Sequence, residues 1–166
     1  MNIFILDLEI EPCARYHCDQ HVVKMILEQV QILCTALHHH GFTPPYRPTH
    51  DKHPCVRWAA ESYDNMRWLR ALTEALNREY RYRYRKERDH ASMKVLQEVS
   101  RFRIESQGLT PFAQAMPETY RQPGDPVAAY RAFYRHEKAA FARWTRRAAP
   151  AWMQTSLTSA IRKSVV

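Results

Sequence analysis

A chain of 166 residues with 45% hydrophobic and 11% aromatic side chains is long and apolar enough to bury one core, which excludes a disordered segment. Three glycines are too few for a many-turned all-β fold, and no glycine-rich phosphate-binding loop is present. The net charge of +8 points to a polyanionic partner (DNA, RNA or an acidic membrane surface), and no apolar run approaches the roughly 20 residues of a membrane span.

The first residues, MNIFILDLEI, lack a basic region and carry Asp7 and Glu9, unlike a signal peptide. Asn2–Leu8, rich in Ile and Phe, reads as a short extended strand. A helix is predicted from Pro12, at a favoured first position, to about His40, with Gly41 as its left-handed cap. Val22, Val23, Ile26, Leu27, Val30, Leu33, Cys34 and Leu37 recur as a core face. Gly41–Pro54 is a loop stiffened by four prolines. Pro54 opens a second helix to about Arg88, with Val56, Trp58, Ala59, Met66, Leu69, Leu72 and Leu76 inward. A third helix is predicted over Ala91–Arg103, followed by an irregular proline-bearing stretch. Asp125-Pro126 joins an N-cap to a first-turn proline and starts a last helix, Val127–Trp144, which Pro150 ends. The expected fold is mainly α: a single-domain bundle of about four helices with a short N-terminal strand, over residues 1–166, the tail 151–166 unassigned. The cysteines at 13, 18, 34 and 55 form no CxxC pair and no zinc-knuckle spacing, and read as reduced thiols of a cytoplasmic protein.

The stretch CDQHVVKMILEQVQILCTALHHH carries an unusual polar strip. His17, His21, Lys24, Glu28, Gln31 and Thr35 fall within about 80° of one another on a continuous helix. The strip is either a solvated face or the floor of an active site. It holds one carboxylate and one lysine, where solvated faces mix several of each sign, and Met25 and Ile32 border it; both features favour a site. There Glu28 serves as general acid, general base or electrostatic stabiliser. His21 holds a phosphate or orients a substrate, and Asp19 and Gln20 cap the helix or contact a ligand. His50, Asp51 and His53 form a second group in PTHDKHPC, and with His17 and His21 they leave a metal-dependent alternative open. No metal or other cofactor is expected. His38–His40 place positive charge at the end of the helix, where it suits the dipole.

In LNREYRYRYRKERDH, a helix would align Arg78, Arg81, Arg85 and Arg88 in one stripe suited to phosphates, with Tyr80 and Tyr84 beside it. Glu79, Glu87 and Asp89 allow the alternative of a solvated helix end; the net charge favours a DNA backbone. Arg57, Glu61, Asp64, Asn65 and Trp68 put polar groups next to indoles. Trp58 and Trp68 therefore either wall a base pocket or pack in the core.

Two resemblances rest on these motifs. The layout MNIF…YHCDQHVVKMILE…PTHDKHPC resembles a family of small phage proteins over most of the chain, which implies a host-cell cytoplasm and little mechanism. More remotely, the chain resembles the phage pyrimidine-dimer DNA glycosylases of the endonuclease V type. That family has an extended N-terminal segment followed by a helix bearing DQH, here Asp19-Gln20-His21, with its catalytic Glu seven residues on, here Glu28. A long aromatic helix follows, here Trp58–Tyr80, and AYRAFYRHEKAAFARW has the ingredients of the family's last helix. The resemblance implies a glycosylase, with or without AP-lyase activity, acting on a damaged or modified base. Its N-terminal amine attacks C1′, a Schiff base forms, and the Glu supports glycosyl transfer and strand scission. Carried over, Glu28 is the catalytic carboxylate and His21 a phosphate or sugar contact. The family's nucleophile is a Thr exposed by removal of Met. Here residue 2 is Asn2, so Met1 is expected to stay and to supply the amine beside Asn2. The family's arginines around its Glu are also missing: Leu27 and Gln29 flank Glu28, and Lys24 is the nearest cation on the strip.

The expected substrate contacts are His17, Asp19, Gln20, Lys24, His50, His53, Arg57, Trp58, Glu61, Asn65 and Trp68. Arg78, Arg81, Arg85 and Arg88 are expected on the DNA backbone. Two other readings stand beside the glycosylase. One is a metal-dependent enzyme of nucleotides or nucleic acid using His17, His21, His50 and His53. The other is a non-catalytic phage protein that binds DNA or inhibits the host. Strandedness of the DNA and oligomeric state stay open.

Overall fold

The chain is mainly α-helical, with six α-helices and no strand among residues 1–154, which the structure, a computed structural model, describes. α1 (Ile10–Tyr16) and α2 (Asp19–His39) are followed by α3 (Pro54–Glu61), α4 (Tyr63–Arg83), α5 (Ser92–Val99) and α6 (Pro126–Glu137). Short 3-10 turns lie at Glu118–Tyr120 and Ala151–Gln154. α2 packs along α4, and α1, α3 and α5 close around the pair over one apolar core. The rest of the tail, 155–166, lies outside the described residues.

The core face of α2 is as the periodicity predicts, except that Leu27 faces outward and Val23 is half-buried. Gly41 ends the helix at φ +80°. Its N–H reaches the His38 carbonyl at 3.0 Å, and the Phe42 N–H reaches Leu37 at 3.2 Å, which is the double bond of a Schellman cap. Asp125 caps α6 as expected: its Oδ1 accepts from the Ala128 N–H at 2.9 Å, with Pro126 in the first turn.

The helix expected over Pro12–His40 is two helices. His17 turns extended (φ −61°, ψ 134°) and breaks the chain between α1 and α2. Neither glycine nor proline causes this; partners far along the chain do. The Cys18 N–H donates to the Tyr134 hydroxyl at 3.0 Å, and the Asp19 N–H donates to the Arg143 carbonyl at 2.8 Å. The carbonyls of Arg15 and His17 accept from the Arg83 guanidinium at 2.8 and 2.7 Å. Those bonds satisfy polar groups that a helix break would otherwise leave without partners.

Arg83 is fully buried, and it also bonds Glu79 at 2.8 Å and Asp19 at 3.1 Å. Arg147 grips the same Glu79 at 2.6 and 3.2 Å. Burial pushes the Glu79 carboxyl up, but the bonds from Arg147 and Arg83 outweigh it and hold the group below the usual carboxylate range.

The helix expected over 54–88 also divides. Ser62 is extended, and its hydroxyl accepts from the Asp64 N–H at 3.2 Å, capping α4. α4 stops at Arg83, and Arg85 takes φ +50° in the following turn. α5 ends at Val99, short of Arg103, and α6 ends at Glu137, short of Trp144. These divisions turn the expected four helices into six.

The expected strand at Asn2–Leu8 is an extended but unpaired segment. Ile3, Phe4, Ile5 and Leu6 are buried, and side chains take the place of a neighbouring strand. The Phe4 carbonyl accepts from the Cys13 thiol at 3.4 Å, and the Leu6 carbonyl accepts from Arg131 Nε at 2.9 Å. All four cysteines are free and buried. No described helix is long and apolar enough to cross a membrane.

Candidate active site

The buried N-terminal segment lays its first two residues against the middle of α2. The Met1 amine is 3.5 Å from Glu28 Oε2, and the Asn2 N–H donates to that oxygen at 3.2 Å. Lys24, one turn back on α2, is 3.6 Å from Glu28 Oε1. The Glu28 side chain is 12% exposed, so it is mostly shielded from water yet still reachable.

Asn2 is the anchor of this arrangement. Its Nδ2 donates to the Ala115 carbonyl at 2.8 Å, and its Oδ1 accepts from the Ile3 N–H at 2.8 Å and the Tyr130 hydroxyl at 2.9 Å. Tyr130, buried on α6, is fixed in turn by the Ala115 N–H at 3.1 Å. The amine and the carboxylate are thereby held on rigid parts of the fold.

A cleft of about 190 Å³ opens here, with Met1, Asn2, Lys24, Glu28, Phe133 and Lys138 on its walls and Phe4 and His21 also lining it. The terminal amine, Lys24 and Lys138 face the single carboxylate Glu28, so the cleft favours an anionic ligand.

The strip itself is closed at both ends. Thr35 is buried under the Gly41–Pro54 loop, where its hydroxyl accepts from the Thr49 N–H at 3.1 Å. His17 is in the core, off the α2 face, with Nδ1 2.8 Å from the Cys13 carbonyl and Nε2 buried without a partner. His21 stacks on Phe4 (centroids 4.4 Å apart, planes at 9°), and its Nδ1 lies 2.7 Å from the Tyr134 hydroxyl.

Burial lowers the His17 imidazole to about 4 and the His21 imidazole to about 3. With its imidazole lowered this far, His21 lines the cleft as a neutral ring at pH 7. Both folded values lie below the ordinary 6.5. The unfolded chain thus takes up more protons once the pH drops below 6.5, and stability falls from there down through the folded values. Between pH 7 and 5.5 the loss is about 1 kcal/mol for each histidine, read as a lower urea midpoint at constant slope. An unchanged midpoint would show that these rings are charged in the folded protein.

His53 caps α3 by accepting from the Cys55 N–H at 3.1 Å. Burial, then the positive chain terminus and His50, keep its imidazole below the ordinary value. His50 is exposed at φ +51°, with Nδ1 2.8 Å from the Thr49 hydroxyl. Among the described residues, no three His, Cys, Asp or Glu side chains gather as metal ligands, so His17, His21, His50 and His53 do not form the cluster of the metal-dependent alternative. Burial drives the Cys55 thiol up to about 12, which removes it as a nucleophile near pH 7.

The remaining expected contacts lie elsewhere. Asp19 is committed to structure, binding Arg83 at 3.1 Å and the Thr145 hydroxyl and N–H at 2.7 and 3.0 Å. Gln20 and Arg57 are exposed. Trp58, Asn65 and Glu61 brace one loop: Asn65 Nδ2 donates to the Trp58 carbonyl and to Thr110 Oγ1, each at 2.7 Å, and Glu61 accepts from the Thr110 hydroxyl at 2.7 Å. Phe112 packs on both Trp58 and Trp68, at 5.2 and 4.7 Å, so the indole wall is filled by the chain's own ring. Arg78 pairs with Glu11, and Arg81 with Asp89 at 3.3 Å. With α4 ended at Arg83, Arg85 and Arg88 leave the stripe.

Phe133 and Lys138 of the cleft, and Tyr130 and Tyr134 behind it, escaped the sequence reading, because no local pattern ties α6 to the N-terminus. No protein family, curated protein or solved structure matches the chain.

Proposed function

We propose that this protein is a DNA glycosylase acting on a damaged or modified base, with the α-amine of Met1, as first residue, for nucleophile and Glu28 as its carboxylate. The observation that carries this reading is the 3.5 Å approach of the amine to Glu28 in a cationic cleft. Glu28 is placed to take a proton from the amine as the bond to C1′ forms. The neutral amine attacks C1′. The glycosidic C1′–N bond breaks, and the base leaves with the electron pair and takes a proton. Ring opening then gives a C1′=N Schiff base. Water hydrolyses it, or loss of a C2′ proton expels the 3′ phosphate and cuts the strand. Lys24 and Lys138 offer charge to the neighbouring phosphates.

The test is borohydride trapping on DNA carrying an abasic site, beside DNA with ultraviolet dimers. Intact mass establishes the first residue, and metal content is assayed on the same sample. An adduct mapping to residue 1 is expected, and its loss on acetylating the terminal amine. No adduct, with salt-sensitive DNA binding alone, would sink the covalent mechanism. No adduct, with stoichiometric metal, would move the chemistry to the histidines.

A further inference from the structure

We infer, resting on the glycosylase reading, that Phe133 is the platform on which a single nucleobase stacks in the cleft. Phe133 is half-buried on α6 and lines the same cleft as the Met1 amine and Glu28. Its ring is braced by Phe4 (centroids 6.3 Å apart, planes at 26°) and by Tyr120 (5.5 Å, 45°). Phe4 is itself stacked on His21, and the Tyr120 hydroxyl is tied to Glu137 at 2.6 Å. A ring held this way loses little freedom when a ligand stacks on it.

The Lys138 ammonium lies over Phe133, 4.9 Å from the ring centre, and both line the cleft. An ammonium on a flexible stem is a replaceable cover. A planar base offers the ring more apolar contact, and the displaced ammonium is then free to meet the phosphate of the same nucleotide. The two tryptophans that could do this elsewhere are packed against Phe112. The cleft, at about 190 Å³, is below the roughly 300–1,000 Å³ of pockets for drug-sized ligands, so it suits one ring system and not a linked pair.

The probe is thymidine 5′-monophosphate, set against the tetrahydrofuran analogue of deoxyribose 5-phosphate, which has the phosphate and sugar ring without the base and no aldehyde to condense with the amine. In protein with ¹³C-labelled phenylalanine, the nucleotide is expected to shift the Phe133 ring signals and the sugar phosphate to leave them in place. Phe133→Leu keeps the apolar volume and removes the ring. It should weaken the nucleotide roughly 5- to 100-fold and leave the sugar phosphate unchanged. Phe133→Tyr should restore nucleotide binding. Equal weakening of both probes, or ring shifts confined to other phenylalanines, would overturn the assignment. A dinucleotide cyclobutane dimer binding more than about tenfold tighter than the nucleotide would overturn its single-base part. Loss of the wild-type adduct is a different failure and falls on the glycosylase reading alone.

Discussion

Glu28→Gln is expected to slow adduct formation on abasic DNA by roughly 10²- to 10⁴-fold while the melting temperature moves by only a few degrees. Glutamine has nearly the same volume and still accepts from the Asn2 N–H, which now lies 3.2 Å from Oε2. What it lacks is the charge that faces the Met1 amine and the capacity to take its proton. The Lys24 partner is mostly exposed, and an ion pair of that kind contributes about 0–1 kcal/mol. Rate and stability should therefore separate. A trapping time course and a thermal melt on the same preparation check this. A melt lowered by ten degrees or more beside an unchanged rate would make Glu28 a structural carboxylate.

Arg83→Ala is expected to cost about 3–5 kcal/mol of folding stability, measured by urea unfolding. The guanidinium is fully buried, and truncation strands the carbonyls of Arg15 and His17 and leaves Asp19 and Glu79 each short of a partner. Arg147 stays on Glu79, which limits the damage at that carboxylate. Arg83→Lys should recover less than half of the loss. One ammonium cannot reach two carbonyls and two carboxylates that a planar fork spans. A loss below about 1 kcal/mol would mean that the break between α1 and α2 holds without it.

The elements that the sequence disclosed are those set by nearest neighbours. Apolar recurrence from Val22 to Leu37 found the core face of α2, Gly41 its end and Asp125-Pro126 the start of α6. The break at Ser62 was visible in principle, since Ser62 followed by Asp64 is an N-cap signal inside an otherwise helical run. The break at His17 was not, because its causes are Tyr134, Arg143 and Arg83, each far away in the chain. The candidate site divides in the same way. Lys24 and Glu28 lie one turn apart and could be paired on paper. That residues 1 and 2 settle on Glu28 depends on Tyr130 and Ala115, and that Phe133 and Lys138 complete the cleft depends on how α6 docks. Which of the two readings of Trp58 and Trp68 applies was not legible, because periodicity records which way a ring points and not that Phe112 covers it.

The bonds that seat the first residues have a consequence for the order of events during synthesis. Asn2 waits for Tyr130, 128 residues later, Cys18 for Tyr134, 116 later, and Asp19 for Thr145, 126 later. A ribosome adding about 5–20 residues per second leaves the N-terminal segment without those partners for on the order of ten seconds. For that interval the apolar run Ile3–Leu6 has its early neighbours Cys13 and His21 but lacks the α6 side chains that cover it in the finished fold. Glu28 is made well before the α6 side chains Phe133 and Lys138 that complete its cleft.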